Sequence, residues 1–230
     1  MRLKFLVTFY TLSFAVAQCA FSQISEHPSQ SEFAAIDRGE KVVQTAPNKD
    51  SAWPNVVVFT LIDCSPLEAI ALFAAYEHQK NYVPSLLSSK PYQLTPTHVL
   101  VDYELKMPWP IENGIYTNGH HLGQKGDSYR LDWYQLKSNS ADDVRGSAHF
   151  STYKGKTLMR YQAFIKPKSF FAGIFSKIFI QDILATITSV EDEISRLKKN
   201  QPEQLNHFKK LITDALKGLD VYPKAPHDAR

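Results

Sequence analysis

Apolar residues recur with two different periods along the chain. Residues 56–62 (Val56, Val57, Val58, Phe59, Thr60, Leu61, Ile62) are β-branched, aromatic or aliphatic throughout and predict a strand. Six more strands are predicted at residues 86–94, 97–107, 114–122, 128–137, 144–153 and 157–167. Turn chemistry separates them: Thr95-Pro96, residues 108–113, 124–127 and 138–143, and Lys154-Gly155-Lys156. Connections this short join neighbouring strands as antiparallel hairpins, so the six form a meander. Between the first strand and the meander, Ser65-Pro66 supplies an N-cap and an N1 proline, with Glu68 near the positive helix end. This predicts a helix over residues 66–75, then a second short helix over 77–82 that ends before Pro84.

After the meander the period lengthens. Over residues 173–199 apolar side chains fall at Ile174, Ile178, Ile183, Ile187, Val190, Ile194 and Leu197, with Asp182, Glu191, Asp192, Glu193, Arg196, Lys198 and Lys199 opposite. Such a helix is roughly 40 Å long, enough to cross a sheet. A last helix starts at Pro202 and stops near Gly218, with Leu205, Phe208, Ile212 and Leu216 on one face.

The N-terminus follows different rules. Arg2 and Lys4 precede a mostly apolar run over residues 5–17, then small residues at Ala15, Ala17, Ala20 and Ser22. This is the pattern of a secretory signal peptide over residues 1–22, cut after Ser22 or else after Ala17. Val16-Ala17-Gln18-Cys19 resembles a bacterial lipoprotein site, but Gln18 is too large for that motif, and an anchor on Cys19 is the minor alternative. The expected location is therefore periplasmic or secreted. Residues 23–54 form a polar leader holding a helical turn near residues 32–36 and a short edge strand near 41–44. Residues 55–200 form one domain, and 201–230 a C-terminal amphipathic helix and tail.

Composition narrows the function classes. In 230 residues, 43% are hydrophobic and 21% charged, which is globular composition. The net charge of +3 is too small to indicate a nucleic-acid partner. Cys19 leaves with the signal peptide, so Cys64 has no intrachain disulfide partner and reads as a small buried hydrophobe. No Gly-x-Ser-x-Gly, His-x-x-Glu-His, Cys-x-x-Cys, Gly-x-Gly-x-x-Gly or Walker sequence is present. His120-His121 is the only histidine pair; neighbours on a strand point to opposite faces, so a solvated or hairpin-end pair is expected and no metal site.

The order of strand, two short helices, six strands and one long helix resembles the START-like (SRPBCC) superfamily. Ile62-Asp63-Cys64-Ser65-Pro66-Leu67-Glu68 resembles that superfamily's entry from its first strand into its first helix. The segment from Tyr76 to Pro84 resembles its approach to the second strand, and Met107-Pro108-Trp109-Pro110 its Pro-x-Pro turn. The Arg-Asp pair that follows this turn in many START domains is replaced here by Asn113-Gly114. The resemblance implies an α+β helix-grip fold: a curved antiparallel seven-stranded sheet wrapped around a long C-terminal helix, with two short helices after strand 1. It also implies a cavity between sheet and helix.

Strand parity sorts the faces. One face carries Val99, Val101, Tyr103, Leu105 and Met107; Tyr129, Leu131, Trp133 and Gln135; Gly146, Ala148, Phe150 and Thr152; and Met159, Tyr161, Ala163 and Ile165. This set contains no Asp, Glu, His, Lys or Arg, whereas acid–base catalysis needs a titratable group at the reacting atom. The parity of the strand starting at Gly114 is not fixed by its pattern. The expected function is non-catalytic binding or transport of a lipid, quinone or isoprenoid, with no cofactor and no catalytic residue. Expected ligand contacts are Val101, Tyr103, Leu105, Leu131, Trp133, Ala148, Phe150, Met159, Tyr161, Ala163, Ile183 and Ile187. The competing expectation is an enzyme resembling polyketide cyclases, which would carry an ionisable side chain, His121 in particular, in a polar pocket. Around the start of the long helix, Phe171 and Phe175 with Lys166, Lys168 and Lys177 are expected to touch an anionic membrane surface.

Overall fold

The computed structural model describes residues 24–107, 109, 112–168 and 172–225, and for residues 172–177 the backbone alone. Residues 1–22, where a signal peptide is expected, and Phe171 lie outside the described residues, as does the side chain of Phe175. No described helix is long and apolar enough to cross a membrane.

The elements in chain order are α1 (Gln30–Asp37), β1 (Val42–Ala46), β2 (Asn55–Ile62), α2 (Pro66–Phe73), α3 (Tyr76–Gln79), β3 (Leu86–Thr95), β4 (His98–Leu105), β5 (Gly114–Lys125), β6 (Ser128–Ser138), β7 (Ala141–Tyr153), β8 (Lys156–Pro167), α4 (Ala172–Asn200) and α5 (Pro202–Leu216). All strands pair antiparallel in one sheet of order β1-β2-β8-β7-β6-β5-β4-β3.

Two expectations about the architecture are corrected. The sheet has eight strands, not seven, and the two short helices follow the second strand, not the first. The cause is the leader. Val42, Val43 and their neighbours pair with the exposed edge of β2, so the polar segment contributes an edge strand of its own. α1 is held by a full capping box between Ser29 and Glu32, and Gly39, at φ +85°, turns the chain back into β1. Ile36 of α1 then packs with Val57 and Phe59 on the convex side of the sheet.

On the concave side, α2 packs directly on β6, β7 and β8. Ser65 and Glu68 close a second capping box at its start. α4 lies across α2 and α5 and reaches the sheet through Glu191, which accepts from Thr60 of β2 at 2.9 Å; Glu191 also accepts from Lys41, just before β1, at 2.7 Å, and Phe179 stacks at 4.6 Å on Trp53, just before β2. The inner face of α4 is Phe179, Ile183, Ile187, Val190, Ile194 and Leu197. Ile178, expected inside, is 42% exposed, because the ring at 179 fills the place against Trp53.

One position shows how tightly the middle strands approach. A Cβ on Gly146 would lie 2.3 Å from both the Gln162 carbonyl and the Trp133 indole. Only glycine lets that indole lie across β7. Gly146→Ala is expected to destabilise by about 2–3 kcal/mol through overpacking and to lower Tm by roughly 5–10 °C. Thermal unfolding followed by tryptophan fluorescence measures this; an unchanged Tm would show that β7 yields freely.

Candidate functional site

The concave face is built by register. Val101 faces Asn118, Asn118 faces Gln135, Trp133 faces Gly146, Ala148 faces Tyr161, and Tyr161 faces Val58. Ten of the expected ligand contacts come from this surface, and Ile183 and Ile187 meet it from α4. Val101, Tyr103, Leu131, Trp133, Ala148, Phe150, Met159, Ala163, Ile183 and Ile187 are buried in one apolar cluster, against which Tyr161 packs. Leu105 is partly exposed and pairs with Gly114 at the end of the sheet.

Depth divides these residues. Leu131, Ala148, Phe150 and Met159 keep essentially no accessible surface. Phe73, from α2, lies over them: its ring centroid stands 5.6 Å from Phe150, 6.3 Å from Trp133 and 6.3 Å from Tyr161. Other lining residues are less completely buried. Tyr116, Gln135, Val144, Tyr161 and Ile165 on the sheet, with Phe73, Ile180 and Leu184 from the helices, are only partly buried. Tyr116 and Tyr161 are nevertheless deep: burial drives both phenol pKa values up, that of Tyr116 to about 12. A small cavity of about 20 Å³, enough for one water, lies between Ala74, Tyr76, Val99, Leu122 and Ala215.

β5 supplies what the sequence pattern missed. The pairs Val99–His120 and Val101–Asn118 turn His120 and Asn118 into the concave face. His120 is 6% exposed, approaches the Tyr103 hydroxyl through Nε2 at 3.3 Å and lies 4.9 Å from the Tyr76 ring. Desolvation holds its pKa down at about 3, with His98 and His121 adding to the effect, so it is neutral at ordinary pH. The expectation of a solvated or hairpin-end pair is therefore wrong for His120. His121 is exposed on the opposite face, stacked 3.8 Å from His98, and lines no interior pocket. No alternation could have revealed this, because the outer face of β5 is buried in its middle as well: the Tyr134 ring covers Gly119, and Thr117 donates to Asp102 at 2.5 Å.

Among the described residues, the concave positions of β2 to β8 carry no Asp, Glu, Lys or Arg, and no group of side chains is arranged to hold a metal ion. Cys64 is buried and its thiol is pushed up to about 12 by desolvation, as an inert core residue requires. On the convex face an open groove of about 710 Å³ runs past Arg130, Arg145 and Arg160. Arg130 is paired with Asp132 at 2.7 Å and Arg145 with Asp143 at 3.5 Å, so two of these charges are already engaged, while Arg160 donates to the neutral Gln162 at 3.0 Å.

No family model and no curated protein sequence matches the chain. Solved structures do match. Human STARD10 superposes with a TM-score of 0.67 at 13% identity, covering 88% of this chain and 93% of that one. A STAR-related lipid transfer protein fragment from Xanthomonas axonopodis gives a TM-score of 0.62 at 10% identity, covering 67% and 93%. The Zhui aromatase/cyclase from a Streptomyces species gives 0.55 at 10% identity, covering 62% and 94%. The eight-stranded antiparallel sheet, the short helices after β2 and the long gripping helix give this chain the START-like, SRPBCC-type fold.

Proposed function

We propose that the protein binds a hydrophobic ligand, a lipid, quinone or isoprenoid, between the concave face and α4, and carries it without chemical change. The observation that supports this most directly is the concave face itself, free of Asp, Glu, Lys and Arg among the described residues and only partly buried at Tyr116, Gln135, Tyr161 and Ile165. The rest of the lining is apolar, and each methylene moved there from water contributes about 0.8 kcal/mol, so a long chain needs few polar contacts. Phe73 lies over the floor of this space, and entry of a long chain displaces its ring. Two proteins of similar fold are named for lipid transfer or STAR relatedness, which accords with the reading.

Native mass spectrometry of the protein purified from its host, followed by organic extraction, tests this. The expected result is a population heavier by the mass of one extractable apolar molecule. Repeated preparations without any bound molecule, together with no uptake from liposomes, would overturn it.

A second reading, an enzyme resembling polyketide cyclases, rests on His120 and its contact with Tyr103. A pKa near 3 makes His120 a weak base and leaves it almost unprotonated at neutral pH, which favours the carrier. Turnover of an aromatic polyketide precursor, abolished in His120→Leu, would reverse that order.

The proposal includes export through residues 1–22 and contact with a membrane surface near the start of α4. Trp109, 93% exposed, stands on the β4–β5 turn at the same end of the sheet as that helix start, which supports the second part. Replacing Phe171 and Phe175 with Ser is expected to cut association with anionic liposomes several-fold in a flotation assay. Unchanged association would remove the membrane contact and leave ligand binding untouched.

A further inference from the structure

Buried polar atoms are normally satisfied, and each exception requires an explanation. Three exceptions in this protein stand side by side on the concave face. The Asn118 side-chain oxygen, His120 Nδ1 and the Gln135 side-chain oxygen are buried, and none has a hydrogen-bond partner within the protein. Asn118 is 5% exposed and His120 6%. Asn118 pairs directly with Gln135 across β5 and β6, and His120 is the next residue along the same face of β5. The register between these strands shifts between Thr117 and Asn118, a bulge of the kind that re-aims a side chain next to a binding site. Gln135 also forms part of the partly exposed surface beside Tyr116 and Val144.

Resting on the binding reading above, we propose that Asn118, His120 and Gln135 form the subsite for the polar end of the ligand, and that this end is an uncharged hydroxyl. The hydrogen-bond chemistry sets the class. Gln135 spends its amide nitrogen on the Ala141 carbonyl at 3.2 Å, so its free atom is an acceptor. The free Asn118 atom is an acceptor too, and the group that fills the site must donate. No Lys or Arg on the concave face answers a carboxylate or phosphate, and no Asp or Glu there answers an ammonium. A charged end would be buried without a counter-ion, which proteins avoid. A hydroxyl shares its one proton between the two amide oxygens as a three-centre bond and accepts from His120 Nδ1–H, the tautomer in which Nε2 accepts from the Tyr103 hydroxyl. The ligand is thus a neutral lipid alcohol and not a fatty acid or a phospholipid.

The test is native mass spectrometry of the purified protein in competition between hexadecan-1-ol, hexadecanoate at pH 8 and hexadecane, each delivered from cyclodextrin. The alcohol is expected to bind about tenfold or more tightly than either competitor, the effect of one or two buried hydrogen bonds. Asn118→Leu and Gln135→Met are each expected to narrow that preference to about twofold while the chain still binds. Asn118→Leu is not expected to lower Tm, because it removes an unsatisfied polar atom from the interior, whereas Gln135→Met also loses the bond to the Ala141 carbonyl and is read by its ligand preference. That combination separates a recognition role from a structural one. Equal binding of alcohol and hexadecane, stronger binding of hexadecanoate, or an undiminished preference in both variants overturns the subsite while leaving the chamber intact. Failure of all three compounds to bind overturns the chamber and the subsite together.

Discussion

Acidification is expected to unfold this protein through His120. The unfolded side chain takes up its proton near pH 6.5, whereas in the folded protein desolvation holds the pKa at about 3. Above pH 6.5 neither state binds the proton, and His120 imposes no pH dependence. As pH falls below that value the unfolded state binds a proton the folded state refuses, and stability is lost at about 1.4 kcal/mol per pH unit. Across the whole window the loss is on the order of 5 kcal/mol, comparable to the total stability of many domains. The groups nearest the ring are Tyr103 and Tyr76, and neither offers a carboxylate that would relieve the burden. His98 and His149, also held below the ordinary histidine range by burial, act in the same direction. Urea unfolding of the protein and of His120→Leu at intervals from pH 7 to pH 3.5 measures the effect. The variant should show the shallower acid limb, and superimposable profiles would show that His120 is not sequestered as described.

The second large effect is expected at Glu193. Its carboxylate, 8% exposed, is held by Arg196 through two bonds of 2.6 Å and by His78 Nε2 at 2.6 Å. His78 belongs to α3, sits 5.1 Å from the Phe208 ring of α5, and is further met by Asn81 at 3.0 Å. One carboxylate therefore joins three helices. Its removal leaves His78 buried with an unmatched ring nitrogen, and Glu193→Ala is expected to cost about 3 kcal/mol. The bonds from Arg196, with those from His78, hold the Glu193 pKa below its ordinary 4.5. Its contribution is thus complete above pH 4.5 and lost as pH falls through the lowered folded value. Denaturant unfolding at pH 7 checks the magnitude. Hydrogen exchange should localise the loosening to α3, and uniform loss of protection would argue against a latch.

These two groups also mark where reading the chain by pattern stops. The strands of the meander, the capped start of α2 at Ser65 and the long apolar stripe of α4 are written in local periodicity. Such periodicity is legible because each element buries one face and exposes the other. β4, β6, β7 and β8 obey that rule, and their inward residues were identifiable from parity alone. β5 does not obey it, since the Tyr134 ring covers Gly119 on the outer side while Asn118 and His120 fill the inner one. Phe73 was visible as a residue of an amphipathic helix, but that it lies over Trp133, Phe150 and Tyr161 depends on where α2 docks. The leader strand β1 was legible as a short extended stretch, and its pairing with β2 was not, because edge pairing depends on which strand is left without a partner.

The amino-acid order by itself determined the succession of elements, the apolar inner faces of four strands and the want of charge on them. All of these follow from side-chain period and turn chemistry within a few residues. Only the tertiary structure decided that the leader adds an eighth strand, that His120 and not His121 faces inward, and that three polar atoms on neighbouring strands are left without partners in the interior. Each of those depends on register between strands distant in the chain, and register is set by the packing of the whole sheet against its helices, not by any local run of residues.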